Sequence, residues 1–168
     1  MRNVILIGYM GCGKSSVGVK LSYRLKQPFM DTDKLIEKNA GKTIADIFDD
    51  EGEAFFRDLE TQVIRDLMDE KHWYVISTGG GLPMREENRV MLKKLGKVIY
   101  LRVKPETVYE RLKDDTTRPL LRGDDPLGKI TQMIAKRGPL YEEAADEIID
   151  VDGLSFEQII ANIERCIR

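Results

Sequence analysis

Apolar positions along the chain fall into two alternating rhythms. Short continuous runs rich in Val and Ile occupy residues 4–7, 28–30, 74–77, 98–101 and 148–151, with longer segments of helical period between them. Continuous runs of that length suit strands covered on both faces, and their alternation with helices predicts βαβ units around a parallel sheet. A helical stripe runs through Phe56, Leu59, Val63, Ile64 and Leu67, and a second through Phe156, Ile159, Ile160, Ile163 and Ile167. Further helices are expected at about residues 14–25, 86–95, 105–113 and 126–141. Residues 114–128 break the pattern: they are charged, carry Pro119, Gly123, Pro126 and Gly128, and have little apolar period. This stretch is expected to be a mobile lid.

The 168 residues suffice for one α/β domain, 1–168, and are too few for two ordinary ones. With 42% apolar and 33% charged residues the balance is that of a globular chain with a packed core. Lys and Arg total 27 against 29 Asp and Glu, so no nucleic acid or anionic membrane is expected as a partner. The first apolar run is far shorter than a signal-peptide core and leads straight into glycines. A monomer in the cytoplasm is the expectation. Two cysteines and one histidine offer neither a disulfide framework nor zinc spacing.

The strongest chemical signal is Gly8-Tyr9-Met10-Gly11-Cys12-Gly13-Lys14-Ser15, a P-loop pattern with a strand before it and a helical segment after it. Its glycines let successive N–H groups face one anion, and the helix adds its positive end. Lys14 is then suited to the β- and γ-phosphates of ATP, and the Ser15 hydroxyl to Mg²⁺. Asp31 and Asp33 follow the second strand, where open α/β sheets place ligands. In an extended chain they face opposite ways, which suits one to a metal and the other to a substrate hydroxyl. Arg57 lies one residue from an apolar stripe. Gly79-Gly80-Gly81 follow the third strand, and three glycines let backbone N–H groups come close to a small ligand. Arg118 stands in the expected lid, able to close over ATP, and Arg137 falls in the helix expected at 126–141.

Through GYMGCGKSS, PFMDTD, FFRDLE, STGGG, TTRPLL and RGPLYEEAAD, in order over nearly the whole chain, the sequence resembles the shikimate kinases. The resemblance implies a P-loop three-layer fold with a five-stranded parallel sheet in the order 2-3-1-4-5, and transfer of the γ-phosphate of MgATP to the 3-hydroxyl of shikimate. It implies that Gly11, Cys12, Gly13, Lys14, Ser15 and Ser16 hold the phosphates, and that Ser15 and Asp31 serve Mg²⁺ directly or through water. It further implies that Asp33 meets the reacting hydroxyl, as base or as orienter, and that Arg57 and Arg137 hold the substrate carboxylate. Gly79, Gly80 and Gly81 would contact the ring hydroxyls, Arg118 would reach the phosphates from the lid, and Arg111 would stack on adenine. Two rivals stand beside this reading: another P-loop kinase of a small acid, such as a gluconate kinase, and a nucleotide-binding sensor without turnover. No Asn-Lys-x-Asp segment supports guanine recognition.

Overall fold

The computed structural model describes residues 2–114 and 123–168. Five parallel strands, β1 (Asn3–Ile7), β2 (Phe29–Asp31), β3 (Val75–Ser77), β4 (Gly96–Arg102) and β5 (Glu147–Asp150), form one sheet in the order β2-β3-β1-β4-β5. This is the expected order. The central strand β1 is buried at every position, which is why its sequence is apolar without alternation. Asn3 at its start is also buried, and its side chain joins two neighbours: Nδ2 donates to the Leu95 carbonyl at 3.0 Å, and Oδ1 accepts from the Tyr74 N–H at 2.7 Å.

The helices are α1 (Lys14–Leu25), α2 (Thr32–Ala40), α3 (Ile44–Glu51), α4 (Glu53–Met68), α5 (Glu86–Leu95), α6 (Pro105–Leu112), α7 (Pro126–Ala144) and α8 (Phe156–Ile167). Helices α1 and α8 pack together, as do α4, α5 and α7, so the sheet is flanked by helices as expected. The α8 start is locked by a reciprocal cap, in which Ser155 and Gln158 exchange side-chain and backbone hydrogen bonds. Among the described residues no helix is long and apolar enough to cross a membrane.

Two features depart from the sequence reading. The chain does not stay extended after β2: Asp31 caps α2 by accepting from the Asp33 and Lys34 N–H groups at 2.9 and 3.3 Å, so Asp33 enters a helical turn. Helix α7 also runs past its expected end, through Pro139 to Ala144. The proline removes one backbone donor, and full burial of Tyr141 and Ala144 beyond it holds the last turn on the core. The expected lid, residues 114–128, is only partly described, and Arg118 lies outside the described residues.

Candidate active site

The loop between β1 and α1 is shaped by glycine where no other residue fits. Gly8 has φ 148°, and a Cβ there would stand 2.7 Å from the Leu101 carbonyl oxygen; Gly13, at φ 94°, is the N-cap of α1. The helix starts with no side-chain cap and no acidic residue in its first turn, so its leading N–H groups remain available to an anion. Lys14 is almost fully buried against the loop, with Nζ donating to the Gly8 carbonyl at 2.6 Å and the Tyr9 carbonyl at 3.2 Å.

A pocket of about 290 Å³ opens over this loop, lined by Gly11, Gly13, Lys14, Ser15, Ser16, Asp31, Asp33, Gly79 and Gly80 among others. A groove of similar size, about 300 Å³, lies against Ile36, Phe55, Leu59 and Val63. It offers no phosphate-binding loop, so the chemistry belongs to the first. Cys12 does not line the pocket. Its side chain is buried in the core and its N–H donates to the Tyr9 carbonyl at 3.2 Å, so the loop itself uses the group expected to meet a phosphate. Arg111 sits at the loop's outer rim, where Nη1 donates to the Gly11 carbonyl at 2.6 Å.

Both aspartates face the same pocket, because the chain turns helical between them. The two oxygens of Asp31 divide its work: Oδ1 caps α2, while Oδ2 accepts from the Ser15 hydroxyl at 3.4 Å. This pair of hard oxygen donors beside a phosphate-binding loop fits Mg²⁺, which takes few protein ligands and fills its shell with phosphate oxygens and water. The Asp33 carboxyl is held above the ordinary carboxylate range, chiefly by burial and then by the Asp31 charge, with Lys14 pulling the other way.

The three consecutive glycines have a reason beyond backbone freedom. A Cβ on Gly79 would stand 2.5 Å from Asp33 Oδ1, one on Gly80 would stand 3.3 Å from Arg137 Nη1, and one on Gly81 would strike the Arg57 guanidinium. Each glycine thus leaves room for one polar side chain, and the run gathers Asp33, Arg137 and Arg57 from α2, α7 and α4 onto one rim. The Gly79 N–H donates to Thr32 Oγ1 at 3.0 Å, fastening the run to the start of α2. Arg57 and Arg137, each readable in isolation as a surface charge, are brought together here.

One site residue escaped the sequence reading. Glu60 is fully buried on α4, and its Oε1 accepts from Arg57 Nη1 at 2.6 Å, while its Oε2 has no hydrogen-bond partner among the described residues. Its signal was available: it is a carboxylate one turn after Phe56, on the buried side of the α4 stripe. Burial raises the Glu60 pKa from the ordinary 4.5 to about 7, with the Arg57 pairing only partly opposing it. For Arg57 burial works against the cation, but Glu60 and then Glu53 outweigh it and its pKa is raised.

The sign of the consequence follows from linkage. A carboxyl whose folded pKa lies above its unfolded value binds its proton more tightly when folded, so its contribution is full below pH 4.5 and is lost as pH rises through about 7. Relative to Glu60→Gln, which cannot titrate, the wild-type protein is therefore expected to lose about 5 °C in Tm between pH 5 and pH 8. Thermal unfolding of both proteins at the two pH values checks this; parallel Tm changes would contradict it.

The shikimate kinase family model matches residues 10–168. A shikimate kinase from Thermodesulfovibrio yellowstonii is 44% identical over 163 residues, covering 97% of this chain and 93% of the relative. The solved shikimate kinase from Acinetobacter baumannii, in complex with shikimate, superposes with a TM-score of 0.90 at 36% identity, covering 99% of this chain and 93% of that one. A gluconokinase from Sinorhizobium meliloti reaches only 0.58 at 16% identity, covering 99% and 93%, a likeness of fold alone. The chain belongs to the shikimate kinase family.

Proposed function

We propose that this ATP-dependent kinase transfers the γ-phosphate of ATP to the 3-hydroxyl of shikimate, with the roles of its residues as follows. The observation that carries the reading is the convergence of Asp33, Arg57 and Arg137 on Gly79–Gly81 at the rim of a phosphate-binding pocket. An acceptor suited to that rim is a small anion with hydroxyl groups, its carboxylate between the two arginines and its reacting hydroxyl at Asp33.

The open N–H groups at the start of α1 and the Lys14 ammonium hold the triphosphate, with Lys14 exchanging its bonds to the Gly8 and Tyr9 carbonyls for phosphate oxygens. Bound Mg²⁺, held by Ser15 and Asp31, supplies further neutralisation of phosphate charge. Arg111 supports the nucleotide base from the outer rim. Asp33 orients the acceptor hydroxyl toward the γ-phosphorus and takes its proton as the new P–O bond forms and the bond from the γ-phosphorus to the β,γ-bridging oxygen breaks, that oxygen leaving with ADP. Phosphoryl transfer through a loose transition state asks mainly for positioning and charge stabilisation, so orientation is the larger part of its work. The Arg57 guanidinium is held for its task by Glu60. The protein acts as a monomer in the cytoplasm.

The test is a panel of shikimate, gluconate and a nucleoside with MgATP, read by ³¹P NMR of the products. A single phosphate ester coupled to the proton on carbon 3 of shikimate is expected, with little turnover of the others. Preferential phosphorylation of gluconate would overturn the assignment.

A further inference from the structure

The rim described above brings together groups from three helices, and one buried hydroxyl ties two of its parts. Tyr141 lies on α7 one turn after Arg137 and is fully buried. Its ring packs against Tyr100, with centroids 5.1 Å apart and planes tilted by 42°. Its hydroxyl donates to the Gly80 carbonyl at 2.6 Å. The Arg137 guanidinium lies over the Tyr9 ring at 6.0 Å. A Cβ at Gly80 would stand 3.3 Å from Arg137 Nη1 and 3.6 Å from the Tyr141 hydroxyl, so the three groups share one small space.

We infer that Tyr141 is a positioning residue for acceptor binding, whose hydroxyl fixes the Gly80 peptide beside Arg137 and so sets this part of the rim for a carboxylate-bearing substrate. The hydroxyl acts on the orientation of the peptide between Gly80 and Gly81. In a trans peptide the C=O and the following N–H point opposite ways. Drawing the Gly80 carbonyl toward Tyr141 therefore turns the Gly81 N–H away from α7. The Arg137 guanidinium stands against the same Gly80, so a fixed peptide there gives it a defined space. A three-glycine run has little conformational preference of its own, so its ordering falls to such contacts: Thr32 at Gly79 and Tyr141 at Gly80.

This inference rests on the reading of Arg137 and the glycine run as acceptor contacts, and its test separates the two. Tyr141→Phe keeps the ring against Tyr100 and removes only the hydroxyl. Tyr100→Phe trims the hydroxyl of the neighbouring tyrosine, which makes no hydrogen bond to Gly80, and serves as the control. Shikimate and ATP affinities are measured by calorimetry on wild type and both variants, with Tm recorded for each. For Tyr141→Phe the shikimate Kd is expected to rise about ten-fold, as losing one buried hydrogen bond predicts, while the ATP Kd stays within two-fold. Tyr100→Phe should leave both within two-fold. Tyr141→Phe with a shikimate Kd within two-fold of wild type would overturn the positioning role, as would equal losses for shikimate and ATP, since a purely structural hydroxyl would act on both through the fold. Wild-type protein that binds no shikimate would instead overturn the functional reading on which that role depends.

Discussion

Replacing Lys14 by Met is expected to lower kcat by about 10²–10³-fold while the protein stays folded, the loss typical of removing one preorganised group that stabilises transition-state charge. Two features of the structure separate this effect from a folding defect. The lysine stem lies within the loop and, among the described residues, its ammonium bonds to loop atoms, the Gly8 and Tyr9 carbonyls and Cys12 Sγ at 3.7 Å, and to no strand of the sheet. Met keeps the volume of the stem. The carbonyls it leaves belong to Gly8 and Tyr9, both buried, so the expected cost in stability is about 1–3 kcal/mol, which a folded domain can bear. Steady-state kinetics with circular dichroism checks both parts; near-normal turnover in a folded variant would mean that Lys14 does not face the transferring phosphate.

The second large effect concerns the acceptor carboxylate. Arg137→Ala should raise the shikimate KM and lower kcat/KM by ten-fold or more, because a charge-assisted hydrogen bond contributes roughly 1.5–3 kcal/mol. Arg57→Ala should lose at least as much toward shikimate, and it adds a cost that Arg137→Ala does not. Glu60 is fully buried and its Oε1 accepts from Arg57 Nη1 at 2.6 Å, so removing the arginine leaves a buried carboxyl without that partner. Arg137→Ala is therefore the cleaner probe, and Arg57→Ala should also lower Tm. A shikimate analogue carrying a hydroxymethyl group in place of the carboxylate should be a poor substrate for wild type. That analogue should also discriminate little between wild type and Arg137→Ala, since the interacting group is already gone. Equal losses on shikimate and on the analogue would show that the arginine acts on the fold or the nucleotide.

Much of this site is legible along the chain, for physical reasons that differ from residue to residue. The strands announce themselves because a sheet covered on both faces needs unbroken apolar runs, and the order of the sheet follows from the family resemblance carried by six motifs. Helices α2 and α3 are less visible. Their short, charged sequences, TDKLIEKNA and IADIFDDE, bury one residue pair and a single Ile. They stand on caps instead: Asp31 and Thr43 at their starts, Gly41 and Gly52 at their ends. Missing α2 is what made Asp31 and Asp33 look like opposed positions on a strand.

The roles of the arginines are not legible from local pattern, because what marks them is the glycine run reached across the fold from α4 and α7. Period alone treats Arg57 as a residue at the edge of a stripe and leaves Glu60 unremarked, although a carboxylate on a buried helix face asks for a cationic partner. Tyr141 is hidden in a different way. A buried tyrosine at helical spacing reads as core, and its ring is core; only the hydroxyl contact with Gly80 gives it a place in the site.

ADP release by the wild-type protein at saturating MgATP, followed by a coupled assay with and without shikimate, tests acceptor-dependent transfer most directly. Release should be slow with MgATP alone, rise at least a hundred-fold on adding shikimate, and vanish when Mg²⁺ is chelated, as the roles proposed for the glycine rim toward an acceptor and for Ser15 and Asp31 toward the metal require. Equal rates with and without shikimate would contradict the assignment of this site to phosphoryl transfer onto shikimate.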